Sequence, residues 1–379
     1  MTRGRKRRLA AAAEPIPPER FRELIQAVYT NTFAPEDLRR YGEIEDWDVS
    51  EIEDMSHAFC NPDSFRADLL WWNVHGIKDM SHDAFRHRET FNRDISRWDG
   101  SRVTSMEGMF AGATTFNAPI GSWDVGNVRN MRRMFDTAKS FNQPLDGWNV
   151  SRVTSMEGMF AGAETFNAPI GSWDVGNVRN MRWMFDTAVS FNQPLDGWDT
   201  GRVTDMGRMF RDTWSFNQPL GGWNVSRVTD MGWMFDAAES FNQPLGGWDV
   251  GQVTNMDGMF YKARAFDQPL ERWDVSRVTD MTDMFHRAVA FNRPLERWDV
   301  SRVTHTVRMF RDADSFRQSL ADWTVSQIVD RGSMFAGSTS RLSLGFDHWR
   351  FPPTVCLGRT DHGPHERPPR LLRIRMRGL

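Results

Sequence analysis

From Trp47 onward large apolar residues and polar residues alternate on a fixed 25-residue step. Trp123, Trp148, Trp173, Trp198, Trp223, Trp248, Trp273, Trp298 and Trp323 mark one register, and Met-Phe pairs from Met109-Phe110 to Met334-Phe335 mark another. A fixed period of about 20–50 residues marks a solenoid or related array, in which each unit buries its apolar face only on its neighbours. Within one unit Val128, Met131, Phe135, Ala138 and Phe141 step by 3, 4, 3 and 3, which predicts a helical segment of about two turns. Thr104-x-x-Glu107 and Thr154-x-x-Glu157 have the capping-box form at its start. The FNQPL motif at Phe191–Leu195, Phe216–Leu220 and Phe241–Leu245 ends it, because proline cannot donate and turns its predecessor away from helix. A glycine turn such as Asp196-Gly197 or Gly221-Gly222 follows, and Trp-Asp-Val then alternates as a short strand does. The expected fold is a repeat solenoid of α/β coils, about 12 coils of 25 residues, each a short strand plus a short helical turn.

Stacking such coils sets identical residues above one another in Trp, Phe and Met columns, with flexible Met filling gaps between rings. Asn117, Asn142, Asn167, Asn192, Asn217, Asn242 and Asn292 form a ladder expected to satisfy buried backbone groups at the bend, with looser packing where Asp267 and Arg317 interrupt it. Residues 101–150 and 151–200 repeat each other except at 114/164, 133/183, 139/189, 149/199 and 150/200, the mark of an internal duplication. The first coils are less regular: Trp98 lies 26 residues after Trp72, and the added residue falls near His82 and His87, a pair with no further ligand to complete a metal site. Toward the end Thr306 and Arg331 replace Met and Ser319 replaces Pro, as a C-terminal cap with a wetter face would. Residues 1–18 read as a disordered basic leader and 19–42 as an N-terminal helical cap with Phe21, Leu24, Ile25, Val28 and Tyr29 on one face. The solenoid occupies 43–349, and 350–379 reads as a disordered basic tail.

Composition sharpens this picture at few points. The 22 Met, 17 Trp and 27 Phe concentrate at fixed repeat positions, so the core is aromatic and thioether rather than aliphatic. A net charge of -3 gives no electrostatic case for nucleic acid. Cys60 and Cys356 lie at opposite ends and make no disulfide framework. No run approaches a membrane span, and Leu9–Ala13 is too short for a secretory core, so an intracellular or virion setting is expected ahead of secretion.

The unit W-D-V-S-x-V-T-x-M-x-x-M-F-x-x-A-x-x-F-N-Q-P-L, as at Trp223–Leu245, resembles the 25-residue repeat of the BspA-type leucine-rich-repeat surface proteins and is similar to the mycoplasmal-lipoprotein repeat. The resemblance covers roughly 41–340, lead-in Tyr41-Gly42-Glu43-Ile44 included. It implies an LRR-like solenoid and, for some members, surface attachment or adhesion.

Function is read from the columns that vary. Asp124, Asn149, Asp174, Asp199, Asn224, Asp249, Asp274 and Asp299 follow the tryptophans. Asn cannot do acid/base work, so Asx turns are expected here, and neither an enzyme nor a calcium ladder is. Arg102, Arg152, Arg202, Arg227, Arg277 and Arg302 form a stripe expected to be neutralised by Asp205, Asp230 and Asp280. The column two residues after the first Met reads Gly108, Arg133, Gly158, Trp183, Arg208, Trp233, Gly258, Asp283, Arg308, and Trp214 stands in another variable column. Trp and Arg are the side chains most enriched at binding hot spots. Arg133, Trp183, Arg208, Trp214, Trp233 and Arg308 are therefore the candidate binding residues, with flat packing of the indoles on neighbouring coils as the structural alternative. The expected function is a non-enzymatic scaffold recognising a protein or glycan without cofactor or metal; the alternative is a spacer acting by self-association.

Overall fold

A computed structural model describes residues 14–59, 67–81, 85, 89–324, 328 and 332–338. The chain divides into units 1–346 and 347–379, the second wholly outside the described residues. His82, His87, both cysteines, Arg331 and the basic tail also lie outside them.

Two helices precede the coils: α1 (Pro18–Tyr29) and α2 (Pro35–Tyr41). Each begins on proline, whose missing N–H is no loss in a first turn. Helix α1 buries Phe21, Leu24 and Ile25, and Phe21 meets Trp72 edge-on at 6.2 Å. Trp47 stacks on Trp72 at 6.2 Å, which starts the tryptophan column under the helix. Residues 14–18, read from composition as the end of a disordered leader, belong to the fold. Pro15 pairs with Asp48, the Ile16 N–H donates to the Asp48 carbonyl at 2.8 Å, and the Ile16 side chain is fully buried. One apolar residue between prolines is enough to anchor the segment.

Each coil is joined to the next by one isolated parallel bridge, Asp54 to Asp79, Asp79 to Ser105, and then at 25-residue steps to the pair Asp280–His305. Among the described residues no coil contains a strand or an α-helix, which corrects the strand-plus-helix unit expected from the pattern. The bridge falls on the residue before the first Met, not on Trp-Asp-Val. There the Asp or Asn side chain closes an Asx turn: Asp124 Oδ1 accepts the Gly126 N–H at 2.9 Å, and Asn149 Oδ1 that of Ser151 at 3.1 Å.

The helix fails for a backbone reason. Arg133 (φ 52°) and Thr137 (φ 61°) lie in the left-handed region, four residues apart, and their equivalents do so in successive coils. An α-helix has no room for such residues. The N–H groups instead alternate in destination. Those of Met131, Arg133, Phe135 and Thr137 donate to carbonyls of Ser155, Glu157, Met159 and Ala161 in the next coil. Those of Met134, Asp136 and Ala138 donate three residues back within their own. Three-residue turns carry the apolar side chains inward at nearly helical spacing, which is why the pattern misleads. The capping-box threonine is engaged elsewhere too, since Thr104 gives both its N–H and its hydroxyl to the Lys78 carbonyl.

The core is three aromatic columns. Phe110, Phe135, Phe160 and Phe185 stack at 5.5–5.8 Å, a second Phe file runs through Phe116, Phe141 and Phe166 at 5.8–6.1 Å, and Trp148 meets Trp173 at 6.4 Å. Each Trp also directs its one polar atom inward, as when Trp173 Nε1–H donates to the Leu145 carbonyl at 2.9 Å and Trp223 Nε1–H to that of Leu195 at 2.9 Å. A buried indole needs such a partner.

The Asn ladder exists, but it is half-exposed. Asn142 N–H donates to Asn117 Oδ1 at 2.9 Å, and the same bond recurs in each coil to Arg317. Asp267 does not interrupt it: Oδ1 accepts the Asn292 N–H at 2.9 Å while Oδ2 meets the Arg293 guanidinium at 2.8 Å. Gln holds the Arg293 position in most coils, as at Gln268 and Gln318, so an Asn–Gln contact is replaced here by an Asp–Arg pair. Thr306, expected in a wetter cap, is fully buried with its hydroxyl unpartnered. Among the described residues no helix is long and apolar enough to cross a membrane.

Candidate functional site

Five of the six candidate residues form one structural file. Arg133, Trp183, Arg208, Trp233 and Arg308 all hold φ between 52° and 59°, in register with Gly108, Gly158, Gly258 and Asp283. A second left-handed file lies four residues on: Gly112, Thr137, Gly162, Thr187, Asp212, Ala237, Lys262, Arg287 and Asp312. A residue with a Cβ gives up roughly 1–2 kcal/mol in this conformation and glycine almost none.

Both tryptophans of the first file lie against the neighbouring coils. The guanidiniums of Arg133 and Arg182 sit over the Trp183 ring at 5.5 and 4.7 Å. Arg133 gets there across Gly158, where a Cβ would stand 3.2 Å from its Cγ. Trp233 donates Nε1–H to Asp257 Oδ2 at 2.9 Å, and its ring covers Gly258 so closely that a Cβ there would lie 2.5 Å from it. Tyr261 tilts against the same ring at 5.5 Å. Both indoles nevertheless stay half-exposed.

Trp214 stands apart, 53% exposed. In its column Lys139 pairs with Glu164 at 2.9 Å and Glu239 with Arg264 at 3.3 Å, leaving Val189 and Trp214 as an apolar step between two ion pairs. Arg308 is an internal clamp rather than a free binding group. Its Nε and Nη2 grip Asp283 at 2.8 and 2.6 Å, and Asp283, buried at 2% exposure, also receives His286 Nδ1 at 2.7 Å. Burial pushes the Asp283 carboxyl up, but Arg308 and His286 together outweigh it and hold the group below the ordinary range. The Arg208 side chain makes no hydrogen bond or ion pair among the described residues; burial, then Arg211, lowers its pKa.

Sequence reasoning passed over the column after Met-Phe: Asp186, Arg211, Asp236, Tyr261, His286 and Arg311. Arg211 Nε binds Asp186 at 2.9 Å and its Nη2 lies 3.6 Å from Asp212. Burial, and then the Asp212 charge, pushes Asp236 up to about 8; burial, and then Asp280, pushes Asp257 up to about 7. Asp257 Oδ1 is buried without a partner. The signal was available, since this column varies as freely as the one chosen. It was hidden because a helical reading turns those positions into one undifferentiated outer face.

The other polar files are engaged in the frame. Arg152, Arg202 and Arg277 donate to the side-chain oxygens of Asn127, Asn177 and Gln252 one coil back, not to the acidic residues expected to neutralise them. Asp205 and Asp230 instead meet Arg182 at 3.5 and 3.0 Å. The Asp/Asn file after the tryptophans closes turns in each described coil, as at Asp249 and Asp299.

The molecule is thus a tandem-repeat protein with an invariant aromatic interior and a variable left-handed face. Residues 29–148, 141–248 and 234–349 each match the family described as Mycoplasma protein of unknown function, DUF285. The chain belongs to that family. No curated protein matches it.

Proposed function

We propose that this protein is a non-enzymatic recognition scaffold, an LRR-like array of the BspA type, whose left-handed face engages a protein or glycan partner. The observation that supports this most is a contrast inside each coil. Core columns repeat almost without change, yet a position where glycine fits and is used is given Arg, Trp or Asp instead. Side chains placed against the backbone's preference suggest a use beyond folding. Trp214, exposed between paired charges, has the setting of a hot spot ringed by groups that exclude water.

Replacing Trp183, Arg208 and Trp233 together by Ala tests the reading. Material from the native source retained by the wild-type chain and lost from the triple variant, with melting unchanged, is the expected result. Equal retention, with altered self-association in light scattering, overturns it in favour of a spacer acting through copies of itself.

A further inference from the structure

We propose that Arg208, Trp233, Asp236 and Tyr261 form a carbohydrate site that takes a neutral pyranose ring. This rests on the recognition reading above and chooses between its two partner classes. The Trp233 indole is a fixed platform: its N–H is held by Asp257, one side rests on Gly258, and Tyr261 braces it at 5.5 Å. A half-exposed ring already immobilised loses little entropy when the C–H face of a sugar lies on it.

Two residues with polar side chains are carried on the turns next to that platform. The Arg208 N–H donates to the Gly232 carbonyl at 2.9 Å, beside Trp233, and the Asp236 N–H donates to the Trp233 carbonyl at 3.2 Å, so both residues are tied to the turn that carries the ring. Neither side chain has a hydrogen bond or ion pair among the described residues, although the Asp236 charge acts on Arg208. The surrounding charges are engaged: Arg182 with Asp205 and Asp230, Arg211 with Asp186 and Asp212, and Lys262 over the Tyr261 ring at 4.8 Å.

Charge then selects the ligand. An anion would satisfy Arg208 but disfavour the ionised form of Asp236, and a cation would be repelled by Arg208. A polyol brings no charge, and its adjacent hydroxyls accept from a guanidinium and both donate to and accept from a carboxyl near its titration midpoint. The Asp236 carboxyl, pushed up to about 8, is such a group. An apolar C–H face edged by hydroxyls is the shape of a pyranose.

The test is a titration of the folded full chain with glucose, galactose, mannose and their disaccharides, read on the Trp233 indole N–H resonance and on a neutral-glycan array. The expected result is a saturable shift, weakened about tenfold or more by Trp233→Ala and by Asp236→Ala, unchanged by Lys78→Ala at an exposed ion pair far along the chain, and little affected by salt. Asp236→Asn, which keeps the shape, serves if Trp233→Ala fails to fold. Absence of binding to every neutral sugar overturns the proposal, as does binding confined to sulfated or uronate glycans that vanishes in salt. A blank array with partner retention still lost in the triple variant sinks this inference alone and leaves the recognition reading standing.

Discussion

Residues 101–200 and 201–312 share one interior and differ in their outer turns. In the first stretch the second left-handed file alternates Gly112, Thr137, Gly162, Thr187; in the second it reads Asp212, Ala237, Lys262, Arg287, Asp312, with no glycine. The Phe file runs through both at the same spacing, 5.8 Å from Phe160 to Phe185 and 5.6 Å from Phe260 to Phe285. The second stretch also holds the carboxyls of Asp236 and Asp257, raised by burial and then by neighbouring carboxylates, which outweigh the nearby cations. The interior defines a coil, and the outer turns are free to take on a task at the expense of backbone ease.

Core truncation should give the largest effect and the same one on both sides. Phe185→Ala and Phe260→Ala each remove a fully buried ring and should lower stability by about 3–5 kcal/mol. Urea unfolding with clearly unequal losses would break the claim of a common interior.

The next effect belongs to the second stretch. Asp236 and Asp257 have folded-state values raised to about 8 and about 7 from 3.8. Between about pH 4 and 8 the folded chain therefore holds protons that the unfolded chain releases. Stability should fall as pH rises through that window, by up to about 1.4 kcal/mol per pH unit for each carboxyl, and level off above it. Asp236→Asn should flatten the fall; melting curves that ignore both the pH and the substitution would remove the buried charge from the comparison.

The smallest effect concerns the left-handed files. Thr187→Gly and Lys262→Gly should each raise stability by roughly 1 kcal/mol, since glycine adopts these angles without strain. Thr187 gains less than its β-branch suggests, because its hydroxyl bonds Asp186 at 2.9 Å. A loss at either site would show that the side chain, not the backbone, sets the local balance.

Much of this was legible in the residues. The period stacks rings at the positions marked by Trp and Phe, and Asx turns follow from an Asp/Asn exchange that no catalytic role allows. The coil's internal form was not legible, because steps of 3 and 4 suit both a helix and a chain of three-residue turns. What separates them is φ at Arg133 and Thr137, and only the glycines at the equivalent positions of other coils hint at it. Charge partners were misread for a related reason. Neighbours in space lie one coil away, so Arg202 meets Asn177 rather than Asp205, three positions on.

The near-identical blocks 101–150 and 151–200 carry a consequence for how such a chain lengthens. Three of their five differences form contacts across the two copies, Lys139 with Glu164 and Arg133 over the Trp183 ring. A newly copied cassette has matching ends, so it splices into the array without repair at the seam. The few substitutions that follow then tell one copy from the other, and each can lock the pair in order while the shared frame is left alone.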